Sequence, residues 1–583
     1  MNSKRSEWSA ILRSCLSHLT MEQWLFWSIL LIYAPAAIWA RFYFMDNALL
    51  EPHPWRQNQT ALTILHLFQG TATLWDYRSP LNGMLWNNVY EFPLYQWVVS
   101  QTMKLGFGIE VASRLITLAS FGLSALFSFF IIREYFSSKI ANWFLLIYLI
   151  NPFGVIFSRV CLIDFFALAA TLASIYGLTK LRTEKRGFIF WALFAFGGLI
   201  AGLAKINIWF FITASILALI VIEGIVQKEK VKKWYWGLFG VFFLQITLVF
   251  LWNYHRVTHL GSPADTPWLV GEFSQRFELW RWKKILWSFG ARSMFYDWLT
   301  IPFLVGVGVL FRKAKFIFLI VFGVFMGHTL IFFQVQTYHD YYLIACMPYL
   351  FLVAALGLDY LTSGTKLIHK SACLIIVSLM LFKAYQLKVY YSPLVHDYRS
   401  EIGSVFKLRA YTDPKDIVYW DAKQGRFEIA TYSQRKVGLS ETAHLIGKKS
   451  QKGEVYSPTV FHFDSPSPEF KLLKDSPKIW IDGTSSFLTY RVKEVGEFKF
   501  SNNSQLAVLN EIPLNMKAVK FQKNIDNCKS TAPLIVLIPD GIKEILVSAD
   551  NNPSIYRFPG NKRFLNIPNQ GEWGCRFTLR VVS

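Results

Sequence analysis

The residues able to do chemistry gather in two short stretches that stand out from the apolar chain around them, 51–60 (Glu-Pro-His-Pro-Trp-Arg-Gln-Asn-Gln-Thr) and 90–95 (Tyr-Glu-Phe-Pro-Leu-Tyr). Further on come Arg159 and Asp164 after an Asn-Pro turn, Lys205 at the end of an apolar run, and His339, Asp340, Tyr341 and Tyr342 before a late one. Carboxylates and imidazole can take a proton, which makes Glu91, Glu51, His53 and Asp164 the candidate catalytic residues. Arg and Lys hold an oxygen whose negative charge grows as a bond breaks, Arg with a two-pronged fork. Arg56, Gln57, Arg159, Lys205, His339, Tyr341 and Tyr342 are therefore the candidates for binding a phosphate. Together the two sets suit a group transfer in which a phosphate leaves while an acceptor hydroxyl is deprotonated. Each residue also has a structural reading. Arg56 and Glu91 can pair to hold the loop, and Asp164 can pair with Arg159 at a helix start. Lys205 can reach for lipid headgroups, His53 can be a packing residue, and His339 with the two tyrosines can belong to an interfacial aromatic belt.

The elements that must position these residues are membrane helices. Of the 583 residues 53% are hydrophobic and 17% aromatic, more apolar than a soluble protein of this size. The net charge of +22 does not point to nucleic acid, because the basic residues fall in short runs between apolar segments, where they suit anionic membrane lipids and topology control. No cleavable leader is visible ahead of the first apolar run. There is no CxxC or other metal-ligand spacing, no GxGxxG and no Walker pattern, so no cofactor is expected; a metal is conceivable if Glu51, His53 and Asp164 converge. Cys528 and Cys575, the only cysteines of the polar C-terminal part, are expected to pair.

Apolar runs near 22–40, 113–132, 140–157, 163–179, 187–204, 207–226, 234–252, 298–311, 316–334, 341–361 and 367–385 give a polytopic α-helical membrane protein of about 11 spans. Basic residues before the first run and between alternate runs belong inside. That count works only if 92–108 does not cross. It is expected as an interfacial or re-entrant helix of a first external loop, 41–112, with a second short helix near 57–68 lying along the membrane. An odd number of spans leaves the chain beyond 385 outside. There, short β-branched runs alternate with Gly, Asn, Pro and Ser turns. The expectation is a transmembrane domain 1–385, an extracytoplasmic α/β domain 386–515 and a β-rich domain 516–583.

The order of motifs resembles GT-C class membrane glycosyltransferases, in particular the bacterial relatives of protein O-mannosyltransferase and of the lipid A aminoarabinose transferase. The resemblance rests on His53 to Ala61, Glu91 to Tyr95, Arg114 with Leu115, the Pro152–Arg159–Asp164 turn, Lys205, and His339 to Tyr342, and it covers roughly residues 20–385. It implies a polyprenyl-phosphate-linked sugar donor and inverting transfer. It also implies a glycan, lipid or protein acceptor, and a bacterial cytoplasmic (inner) membrane location with the N-terminus cytoplasmic and the active site and C-terminal domain periplasmic or extracellular. Better-known members carry an Asp-Glu pair in the first loop and a Lys-Pro-Pro-Leu motif later. Here Arg56-Gln57 stands in place of the acids and Glu91 in place of that Lys. The expected roles are therefore swapped, with Arg56 on the phosphate and Glu91 as base, Glu51 and Asp46 remaining rivals. A lipid-linked-sugar flippase and a diphosphate-donor glycan polymerase or ligase are the alternatives. The arginines of the expected external loop 253–297 (Arg256, Arg276, Arg281 and Arg292) keep the latter open.

Overall fold

A capping box starts the first helix. The Thr20 hydroxyl accepts from the Gln23 amide at 3.3 Å and the Gln23 side chain accepts from the Thr20 amide at 2.9 Å, so two otherwise unpaired donors are satisfied. The helix then runs 22 residues, Met21–Phe42 (α1), about 33 Å at 1.5 Å per residue, enough for a hydrocarbon layer of about 30 Å. Leu25, Ile29, Tyr33, Ala37 and Ala40 form one buried stripe, while Leu31, Ile38 and Trp39 on the other faces are exposed. Apolar residues on the outside mark a face meant for lipid. In this computed structural model the structure describes residues 20–78, 89–184, 187–220, 234–260, 262, 266–364 and 366–398. Beyond them it describes the strands and the short helix named below.

The helices that follow are α2 (Pro54–Phe68), α3 (Leu94–Met103), α4 (Ile109–Tyr135), α5 (Ser138–Ile150), α6 (Pro152–Phe157), α7 (Asp164–Glu184), α8 (Phe188–Ala204), α9 (Ile206–Ile220) and α10 (Trp234–Thr258). After them come α11 (Thr266–Val270), α12 (Leu279–Trp282), α13 (Thr300–Lys313), α14 (Lys315–Ile331), α15 (Phe333–Tyr338), α16 (Met347–Ser363), α17 (Leu367–Tyr390) and α18 (Ser392–Val395). Every expected span holds a helix. By length and composition α1, α4, α10 and α17 can cross a membrane, and α5, α8, α9, α14 and α16 are apolar but shorter.

Three expectations need correction. The run 140–157 is two helices, because Asn151 ends α5 and caps α6 with hydrogen bonds from the amides of Phe153 and Gly154 at 3.0 and 3.3 Å. The run 341–361 begins as a 3-10 turn, Asp340–Ala345, and becomes α-helical only at Met347. The segment 253–297 is not an open loop. It carries the end of α10, α11, a 3-10 turn (Phe273–Phe277), α12 and a π-helical stretch (Lys283–Met294). The short helix α3 has 10 residues and is about 15 Å long, half a membrane's thickness. Helix α2 starts at Pro54 and its residues Gln57–Leu65 are all buried, so protein rather than lipid covers it.

Helix α7 is buried nearly all round, as a central helix must be, and it packs against α4, α8, α9 and the 3-10 turn. Elsewhere backbones meet directly. A Cβ on Gly357 of α16 would fall 1.8 Å from the Pro302 carbonyl of α13, and one on Gly306 1.9 Å from the Val353 carbonyl. This is the small-residue contact that lets membrane helices approach closely.

The chain divides into two compact units, one of 1–77 and 89–397 and one of 78–88 and 398–583, so the helical part extends past the expected 385. In the second unit the strands Ile417–Trp420, Lys436–Leu439 and Thr459–His462 are parallel neighbours, extended antiparallel by Ser486–Leu488 and Ile479–Ile481. Near the C-terminus Val519–Gln522, Arg576–Val582, Glu544–Ala549 and Asn552–Arg557 form an antiparallel sheet, and Phe427–Ser433 is helical. The expected boundary at 515–516 and the expected Cys528–Cys575 pair lie outside the described residues.

Candidate active site

Two buried arginines fix where the site begins. Arg159, between α6 and α7, donates to the carbonyls of Ala40, Tyr43 (2.6 Å) and Phe44 (3.1 Å) and to Glu51 Oε1 (2.7 Å). Arg114, on α4, donates to the carbonyls of Met45 (2.7 Å) and Asn47 (2.6 Å) and pairs with the same Glu51 oxygen at 3.1 Å. The side chains of all three are wholly buried. The turn that follows α1 is thus wrapped around two guanidinium groups, with Phe44 forced to φ +48°. Gln57 adds a further clamp, donating to the Pro52 carbonyl at 3.0 Å and accepting from the Cys161 amide at 2.9 Å. This platform delivers the start of α2 to a fixed place.

On that platform His53 and Arg56 face inward from the first turn of α2. The Arg56 Nη2 lies 3.1 Å from both oxygens of Glu91, and its Nη1 donates to Gln59. The guanidinium also lies 5.5 Å from the Tyr90 ring. Burial alone would loosen the Arg56 proton, but the Glu91 carboxylate outweighs burial and the group is held more firmly protonated than usual. Gln96 donates to Glu91 Oε1 at 2.9 Å. The Glu91 segment is tied to the end of α8, where the Phe92 amide donates to the Leu203 carbonyl at 2.9 Å.

Two residues beyond that tie, Lys205 breaks the chain between α8 and α9. Its ammonium pairs with Oδ1 of Asp164, the first residue of α7, at 2.5 Å. It sits 4.9 and 4.4 Å over the rings of Tyr341 and Tyr342, which stack on each other at 4.8 Å. Arg56 lies within electrostatic reach of the same two phenols, so both cations border one aromatic floor. Beside it His53 Nε2 meets Asp340 Oδ1 at 2.8 Å, and the His53 ring lies 4.8 Å from Tyr341 and 5.6 Å from His339. His339 is pushed down to about 4 by burial and then by its cationic surroundings, so it is neutral near pH 7. Exposure separates the two clusters. Arg56 and Glu91 are 14% and 13% exposed and His53 and Asp340 23% and 21%, whereas Glu51, Arg114 and Arg159 are sealed.

No protein-family model and no curated protein matches the sequence. Solved structures do. ArnT from Cupriavidus metallidurans bound to undecaprenyl phosphate superposes with a TM-score of 0.52 at 12% identity, over 79% of this chain and 97% of that one. The Archaeoglobus fulgidus oligosaccharyltransferase in its apo form gives 0.52 at 10% identity, over 96% of each chain. The chain has the GT-C fold.

Within that fold the structure brings together His53, Arg56, Glu91, Asp164, Lys205, His339, Tyr341 and Tyr342. Three expected site residues lie apart from them. Glu51 is locked between two guanidinium groups, Arg159 has its donors engaged by carbonyls and Glu51, and both Gln57 polar atoms are bound to backbone. The structural pairing of Arg159 with Asp164 does not form, since Asp164 pairs with Lys205. The sequence reading passed over Asp340 as a partner of His53, and Arg114 as an anchor. Adjacency to His339 and Tyr341 was a signal for the first; a lone Arg in an apolar helix, costly unless paired, was one for the second. Among the described residues no group of His, Cys, Asp and Glu is spaced to hold a metal.

Proposed function

We propose that this protein is an inverting glycosyltransferase that moves a sugar from a polyprenyl-phosphate carrier to a glycan, lipid or protein acceptor on the outer side of the bacterial cytoplasmic membrane. One observation carries the reading: Arg56 and Lys205, on separate elements, border a shared floor of Tyr341 and Tyr342. Breakage of a sugar–phosphate bond puts growing charge on the phosphate, and fixed cations at a partly dry site stabilise that charge without having to reorganise. The phenol rings give the sugar an apolar face to lie on. The GT-C fold supports the reading, since the ArnT structure sharing it holds undecaprenyl phosphate. The basic loops between alternate helices support the orientation.

The diphosphate-donor alternative is weakened by where its arginines go. Arg256 donates to the Val89 carbonyl, Arg276 to the carbonyls of Val270, Glu272 and Leu330, and Arg281 to Glu278, while Arg292 lies over Trp287. The test is transfer by the purified full-length protein from a panel of undecaprenyl-phosphate monosaccharides, against diphosphate-linked oligosaccharides, to envelope glycans from cells lacking it. Transfer from a monophosphate donor is expected. Turnover of diphosphate donors alone, or of neither class, overturns the proposal.

A further inference from the structure

We propose that His53, held by Asp340, is the base that accepts the proton of the acceptor hydroxyl, and that Glu91 positions Arg56 instead. The inference rests on the glycosyltransferase reading and assigns a role within it. Of the three carboxylates expected as catalytic residues, Glu91, Glu51 and Asp164, none is available. Glu91 accepts from Arg56 through both oxygens and from Gln96 through one. Glu51 is sealed behind Arg114 and Arg159. Asp164 is 1% exposed, with one oxygen on Lys205 and the other enclosed.

The imidazole differs on each count. Its Nε2 faces the Asp340 carboxylate at 2.8 Å, which fixes the ring proton on that nitrogen and leaves the Nδ1 lone pair to act. Nδ1 has no hydrogen-bond partner among the described residues, and it is not enclosed. Asp340 is itself braced. Ser293 of the π-helical stretch donates to its other oxygen at 3.4 Å, and Tyr390 of α17 donates to the Ser293 carbonyl at 3.3 Å. The groups facing the imidazole are Asp340, His339 and Tyr341, with Arg56 one turn along α2 and Lys205 beyond Tyr341. Tyr341 lies 4.8 Å from the imidazole ring and 4.9 Å from the Lys205 ammonium. Base and leaving-group cation therefore border the same aromatic ring, and inversion places them on opposite faces of the sugar held against it.

The backbone agrees. His53 sits at φ +61° between Pro52 and Pro54, although a residue before proline favours extended conformations. Strain of this kind persists where surrounding structure enforces it, often at functional sites.

In the step, the acceptor O–H proton passes to Nδ1 and the acceptor oxygen bonds the anomeric carbon. The bond from that carbon to the phosphate oxygen breaks with its electron pair going to the phosphate, beside Arg56 and Lys205. Asp340 balances the imidazolium until the proton passes to water.

The test uses full-length protein in lipid discs with the undecaprenyl-phosphate sugar and envelope glycan that support wild-type transfer. His53→Gln should lower kcat by about 10²–10⁴-fold with donor KM unchanged, and should lose the acid limb of the pH–rate profile. Asp340→Asn should lower kcat less. His53→Gly accepts the positive φ without strain, and added imidazole should restore its turnover with saturation. Near-wild-type kcat in either His53 variant overturns the assignment. So does a loss that imidazole does not rescue and that comes with a raised donor KM, which is what a packing role would give. Absence of transfer by the wild type from every donor overturns the glycosyltransferase reading instead.

Discussion

Replacing Glu51 with Gln should damage stability and leave the chemistry of the surviving folded protein near normal. The Glu51 carboxylate, 1% exposed, is the shared counter-charge of two guanidinium groups at 2.7 and 3.1 Å. Gln keeps the shape and one acceptor oxygen but removes the negative charge, so two cations are left buried without compensation. Breaking a buried pair from one side costs about 3–5 kcal/mol. The carbonyls of Ala40, Tyr43, Phe44, Met45 and Asn47 still solvate the two cations, which places the loss near the lower end, about 3 kcal/mol. The assay is thermal unfolding of detergent-purified Glu51→Gln followed by tryptophan fluorescence, with transfer kinetics measured well below the transition. A clear fall in the unfolding midpoint with kcat near wild type is expected. An unchanged midpoint with transfer abolished would refute the reasoning and return Glu51 to the role of base.

Lys205→Gln should lower kcat/KM by about 10²–10³-fold, the size of effect expected for losing one group that stabilises transition-state charge. It also strands the buried Asp164 carboxylate. Adding Asp164→Asn should therefore recover thermal stability without recovering turnover; recovery of both would reduce Lys205 to a structural partner, as read from initial rates and melting curves together. His339 gives a pH prediction. Burial first, then neighbouring charge, lowers it from 6.5 to about 4, so between those values the unfolded chain binds more protons than the folded one. Its contribution to stability is complete above about pH 6.5, declines as the pH falls, and is gone by about 4. His339→Gln should flatten the melting midpoint against pH across that window, and a slope parallel to wild type would show the contribution is absent.

Helix positions were legible because a membrane-crossing segment must be apolar along its whole length, a signal local to 20 or so residues. The local signal failed where polar chemistry interrupts a run. Asn151 with Pro152 splits one segment because its side chain caps the next helix, and Asp340–Ala345 tightens into a 3-10 turn although Tyr341, Tyr342 and Leu343 are as apolar as the helix that follows. The site residues were legible as types, since charges in so greasy a chain must face a partner or a cavity. Their pairings were not. Arg159 finds Glu51 across 108 positions and His53 finds Asp340 across 287, whereas proximity in the sequence suggested Asp164 for Arg159. Nothing local separates an arginine that will meet a phosphate from one that will organise a turn. That difference lies in which carbonyls the folded chain brings within reach, and Arg159 has three.

The charge count at the site leads to a last prediction. In the pocket Arg56 and Lys205 stand against Glu91, Asp164 and Asp340, so the resting pocket carries no excess of positive charge. It therefore does not gather donor by a long-range field. It works by direction. Each cation is held from behind by its carboxylate, and Arg56 keeps its Nε free of any hydrogen bond among the described residues. Short-range contacts in a site this enclosed are screened little by salt, whereas a field reaching beyond about 10 Å is lost at about 0.1 M. Donor KM should therefore change little as sodium chloride is raised through this range in steady-state assays at saturating acceptor. A steep rise would mean that unpaired basic residues guide the phosphate in, and that the pairs seen here open before the donor binds.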